Sequence, residues 1–72
     1  MVVGEKVVVR AGGEYQGGEI ISIDRTTYSI PFYIVRLTIG KDIGQKVAVS
    51  YGFIHQLMMG EPLEHAVAYL RR

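Results

Sequence analysis

Short apolar runs, separated by glycine and polar clusters, set the pattern of this chain, and alternation within the runs is imperfect. Lys6-Val7-Val8-Val9-Arg10 is a β-branched run after Gly4 and predicts a first strand. Ala11-Gly12-Gly13-Glu14-Tyr15-Gln16-Gly17-Gly18 holds four glycines in eight residues and reads as a connection or bulge built on positive-φ positions, not as a regular element. Glu19 to Ile23 predicts the second strand, closed by Asp24, a residue suited to turning the chain. Arg25 to Pro31 is polar, carries a proline and reads as the next connection. Phe32-Tyr33-Ile34-Val35-Arg36-Leu37 predicts the third strand, with the strongest β propensity in the chain. A Gly40…Gly44 turn leads into a fourth strand, Lys46 to Ser50. Tyr51 to Met58 reads as a single 3₁₀ turn and a short last strand, with Phe53, Ile54 and Leu57 as core plugs.

The third strand breaks simple alternation. Tyr33, Val35 and Leu37 share one face, Phe32, Ile34 and Arg36 the other, so both faces are largely apolar. Such a strand is either covered on both sides or meets a partner. One candidate cover follows Gly60, where Pro62 suits the first position of a helix. Leu63, Ala66, Val67 and Leu70 then form one apolar stripe at helical spacing. Glu61 and Glu64 at its start and Arg71 and Arg72 at its end complement the helix dipole. A helix this short is marginal alone in water, so it must dock on its own sheet or on another chain.

Length and composition then narrow the class. The chain has 72 residues and reads as one domain, with the β part at about 4–58 and the helix at about 61–72. A domain this small buries roughly 60% of the surface its unfolded chain exposes. Without cysteine there is no disulfide and no thiolate metal site, and His55 and His65 have no ligand spacing. Neither a metal nor a cofactor is therefore expected. An apolar fraction of 49% on so small a body leaves apolar surface outside the core, which favours contact with other chains. The net charge of +1 lacks the clustered positive excess typical of nucleic-acid binders. The apolar runs are too short to span a membrane, and the first residues lack the pattern of a signal peptide. A cytoplasmic location is the expectation.

The order of strand, glycine hairpin, three strands, 3₁₀ turn and short strand looks like a mainly β, five-stranded SH3-like barrel with a short C-terminal amphipathic α-helix. Gly4 to Arg10 followed by Gly13 to Ile23 is similar to the opening hairpin of KOW-type segments. Tyr15-Gln16-Gly17 and Gly44-Gln45-Lys46-Val47 resemble matching steps of the type II dihydrofolate reductases, over residues 4–57. That second resemblance implies the barrel and an oligomer. It does not imply the reaction, because the family's Val-Gln-Ile-Tyr stretch is here Val47-Ala48-Val49-Ser50. Fold likeness does not transfer function.

No catalytic constellation stands out. Ser22, Ser29, Ser50, His55, His65, Asp24 and Asp42 fall into no nucleophile–base–orienter spacing. His55, among apolar neighbours, is expected at the core edge with one hydrogen bond, and His65 in solvent beside Glu61. The glycine-rich loop is not a phosphate cradle, since no helix follows it and Glu14 and Glu19 would repel an anion. The expected function is that of a non-enzymatic module that self-associates or docks on a protein partner through Tyr15, Tyr28, Phe32, Ile34 and Tyr51. Leu63, Val67 and Leu70 pack locally or across subunits in that reading. An alternative is a nucleic-acid-binding barrel using Lys6, Arg10, Arg25, Arg36 and Lys41. A reductase-like oligomeric enzyme binding a nicotinamide nucleotide ranks third.

Overall fold

The structure, a computed structural model, describes residues Met1–Arg72. Its elements are β1 (Lys6–Ala11), β2 (Glu14–Asp24), β3 (Phe32–Ile39), β4 (Lys46–Ser50), a 3₁₀ turn (Tyr51–Phe53), β5 (Ile54–Gln56) and α1 (Leu63–Leu70). The five strands form one antiparallel sheet in the order β4-β3-β2-β1-β5. The mainly β class with a single C-terminal helix is as the sequence implies.

The consecutive valines of β1 explain how a small chain makes two apolar clusters. Val7 and Val9 point to one side and join Ile20, Tyr33, Val35 and Leu37. Val47 and Val49 of β4 and Ile54 of β5 pack on the same cluster, so both ends of the sheet curl over one core. Val8 points the opposite way and packs with Leu63, Ala66 and Val67 of α1. All three valines are fully buried. β1 is thus covered on both faces, which is why it reads as a continuous apolar run.

The helix docks on its own sheet. Tyr15, Ile39, Leu57 and Leu70 flank the Val8 cluster. The Arg71 Nε–H donates to the Tyr15 carbonyl at 2.8 Å, and the same guanidinium lies 3.2 Å from the Glu14 carboxylate. α1 begins one residue beyond Pro62, whose extended backbone (φ −68°, ψ 140°) makes it the residue before the helix and not its first turn. The helix also ends earlier than the charge pattern predicts, with Arg71 as its cap.

Two further expectations are corrected. The glycine-rich segment is mostly strand: β2 starts at Glu14 and runs through Gly17 and Gly18. Only Gly12 and Gly13 use left-handed backbone there (φ 62° and 83°), in the turn between β1 and β2. Gly18 serves close approach instead, since a Cβ on it would lie 2.5 Å from Val35 Cγ1 and 2.7 Å from the Arg36 carbonyl oxygen. Register shifts at Gly17/Gly18 and Ile20/Ser22 bend β2 so that one strand serves both clusters. Phe53, expected as a plug, is instead exposed, because the 3₁₀ turn that holds it has no buried residue. Ile54 and Leu57 do pack, one on each cluster.

No helix of the structure is long and apolar enough to cross a membrane.

Candidate interaction surface

With α1 on the β1–β2 side, the outer face of β3 and β4 is left open. Register places Phe32 opposite Ser50, Ile34 opposite Ala48 and Arg36 opposite Lys46. Directly paired residues share a face, so this surface carries Phe32, Ile34, Ala48 and Ser50 between two basic side chains and the β2–β3 connection. Phe32 and Ile34 are half-buried, and Ala48 is exposed.

The connection adds aromatic area. Tyr28 packs on Phe32 with ring centroids 4.6 Å apart, and Tyr28 itself is 57% exposed. Tyr51 and Phe53, in the 3₁₀ turn after β4, are 63% and 58% exposed. A shallow groove of about 290 Å³ runs between Arg10, Phe32, Ala48, Val49, Ser50 and Phe53. Of the five predicted contact residues, Phe32 and Ile34 share this face, Tyr28 packs on Phe32, and Tyr51 is exposed in the turn that follows β4.

Tyr15 does not join them. Its ring meets His55 edge-on at 5.4 Å and lies under the Arg10 guanidinium, also at 5.4 Å, and its carbonyl holds Arg71. It is a strut between β1, β5 and α1. His55 is exposed on the edge strand β5; paired with Val8, it lies on the α1 side of the sheet at the rim of the Val8 cluster, where it leans on the Tyr15 ring. His65 is exposed on α1, as expected. Leu63 and Val67 pack locally, within this chain. Sequence reasoning missed Ala48, Val49, Ser50 and Phe53 as lining residues. The signal available for Ala48 was its place at the centre of Val47-Ala48-Val49 in an otherwise uncharged strand core.

The predicted cations are interleaved with other groups. Lys41 Nζ donates to the Gly12 carbonyl at 2.8 Å. Glu19 pairs in register with both Lys6 and Arg36, so a carboxylate stands between them. Arg10 lies at the other end of β1 from Lys6, and Arg25 is exposed in the β2–β3 connection.

Asp24 terminates β2 as the sequence suggests. Its Oδ1 accepts the N–H groups of Thr26 and Thr27, both at 3.0 Å. The Thr27 hydroxyl, then the Thr26 and Thr27 N–H groups, hold the carboxyl below its ordinary pKa of 3.8. Every oxygen contact here is local, which makes Asp24 the anchor of a turn. Nowhere do three or more His, Asp or Glu side chains converge with metal-ligand geometry. Compared with known protein families, curated proteins and solved structures, the chain has no match.

Proposed function

We propose that this chain is a non-enzymatic, SH3-like assembly module that self-associates through the β3–β4 side of its sheet. The observation that carries the reading is the division of labour between the two sides of the sheet. α1 covers Val8, while half-buried Phe32 and Ile34 and exposed Ala48 have no helix packed over them, with Tyr28, Tyr51 and Phe53 exposed as well. Aromatic and aliphatic side chains clustered at one end of a small monomer form the core of an interface, and the flanking Arg36 and Lys46 form a polar rim. The strand order and the 3₁₀ turn before β5 support the SH3-like likeness.

Sedimentation equilibrium of the full chain from micromolar to millimolar concentration tests the reading. A mass above that of one chain is expected, returning to one chain in Phe53→Ser. A clean monomer at the highest concentration overturns it.

A further inference from the structure

Each end of the sheet has a free edge, and the two edges differ in kind. β5 has three residues, too few to template a partner. β4 has five, Lys46-Val47-Ala48-Val49-Ser50, with no proline and no acidic residue. Leu37 fixes which of their backbone groups are free. Its N–H donates to the Gln45 carbonyl and its carbonyl accepts the Gly44 N–H, both at 2.8 Å. The two-residue period of an antiparallel ladder carries this inward bonding on to Val47 and Val49. It turns the N–H and C=O groups of Lys46, Ala48 and Ser50 toward the open edge.

That edge is self-complementary about Ala48. Resting on the self-association reading above, we propose that two copies pair β4 with β4 in antiparallel register, Ala48 opposite Ala48 and Lys46 opposite Ser50. The three free residues of each copy then exchange N–H···O=C bonds with those of the other, and one continuous sheet spans the dimer. Side-chain chemistry agrees with this register. On the outer face the central row becomes Ile34, Ala48, Ala48, Ile34, apolar throughout, and the two small alanines sit on the two-fold axis. Toward the core, Val47 of one copy neighbours Val49 of the other. The two Lys46 side chains lie four residues apart along the strands, about 13 Å. This exceeds the screening length of about 8 Å at physiological salt. Each ammonium instead lies beside Ser50 and the Phe32 ring of the other copy. A one-residue slip would present inward-bonded groups to the partner and is excluded by the same parity.

Amide hydrogen exchange across a concentration series, combined with Ala48→Pro, tests the pairing. The amides of Lys46, Ala48 and Ser50 should slow at least about tenfold as concentration rises, the mark of newly formed bonds. Ala48→Pro removes an N–H with no partner inside the chain, which an edge strand tolerates, and should give a folded monomer. Should that variant fail to fold, Ala48→Cys provides the second readout. A short thiol crosslinker should join it into a covalent dimer, and should leave Met59→Cys, fully exposed outside the strand, unjoined. An oligomer in which these amides stay fast and Ala48→Cys does not crosslink overturns the strand pairing while leaving self-association intact. A monomer at all concentrations overturns both, and leaves the edge for a strand of another protein.

Discussion

The Gln16 side-chain amide and Asp42 hold each other by two reciprocal hydrogen bonds, 26 residues apart in the chain. Gln16 Nε2 donates to Asp42 Oδ2 at 2.9 Å, and Gln16 Oε1 accepts the Asp42 N–H at 3.1 Å. A third bond, from Nε2 to the Ala11 carbonyl at 3.0 Å, ties the same amide to the end of β1. Gln16 is fully buried, and every polar atom in it is satisfied. One amide thus fixes the β3–β4 turn against the β1–β2 hairpin and sets where β4 begins.

Gln16→Ala removes all three bonds and opens a cavity, so a loss of about 2–4 kcal/mol is expected in urea or thermal unfolding. Gln16→Glu keeps the shape but places a second carboxylate beside Asp42. Repulsion from Asp42 would raise the new carboxyl's folded pKa, so the defect should be largest at neutral pH and shrink as pH falls toward the unfolded glutamate value of about 4.3.

Three glycines should give a graded series on mutation to alanine. At Gly18 the new Cβ would meet the Arg36 carbonyl oxygen at 2.7 Å, and backbone cannot yield cheaply, so a loss of about 3 kcal/mol is expected. At Gly17 it would meet Leu63 and Val67 side chains at 3.1 Å, which lifts the helix slightly for about 1–2 kcal/mol. Gly52 has no atom within 4 Å and an ordinary backbone, so its variant should stay within about 0.5 kcal/mol of wild type. Equilibrium unfolding of the three variants checks the order.

The docked helix can be tested at its latch and its stripe. Leu63→Ala should cost about 2–4 kcal/mol through the cavity left beside Val8. Arg71→Ala loses a partly exposed ion pair and one carbonyl bond and should cost only about 1 kcal/mol. If the two variants cost the same, burial is not what holds α1 in place.

Asp24 contributes a pH dependence of known sign. Its pKa is lowered in the folded chain, chiefly by the Thr27 hydroxyl and then by the Thr26 and Thr27 N–H groups. Its contribution to stability is therefore present above 3.8 and lost as pH falls through the lower folded value. The stability gap between wild type and Asp24→Asn should be flat near neutrality and narrow below pH 3.8. Unfolding curves across an acid series, with an NMR titration of the Asp24 carboxyl, measure it.

Gel shifts distinguish the nucleic-acid alternative. With Glu19 between Lys6 and Arg36 and with Lys41 bonded to Gly12, single- and double-stranded probes should not be retarded even at low salt. Retardation that weakens with salt and with Arg10→Ala or Arg25→Ala would establish that alternative.

The sequence by itself determined the elements. Short β-branched and aromatic runs from Val7 to Val9 and from Phe32 to Leu37, with glycine and proline between, dictate strands, because such side chains favour the pleated backbone. The Leu63, Ala66, Val67, Leu70 stripe likewise dictates an amphipathic helix. It did not determine what each apolar face meets. The two-faced β3 and the unattached helix looked like partners, yet α1 settles on Val8, because β1 is buried on both sides and Gly17 lets the helix close on the backbone. Nor could local pattern show that Gly17 and Gly18 belong to a strand, since the atoms that forbid a Cβ on Gly18 come from β3, 17 or 18 residues away. The open face and the free edge of β4 follow from that packing, and only the tertiary structure could decide them, because which surface stays uncovered depends on where every other element has gone.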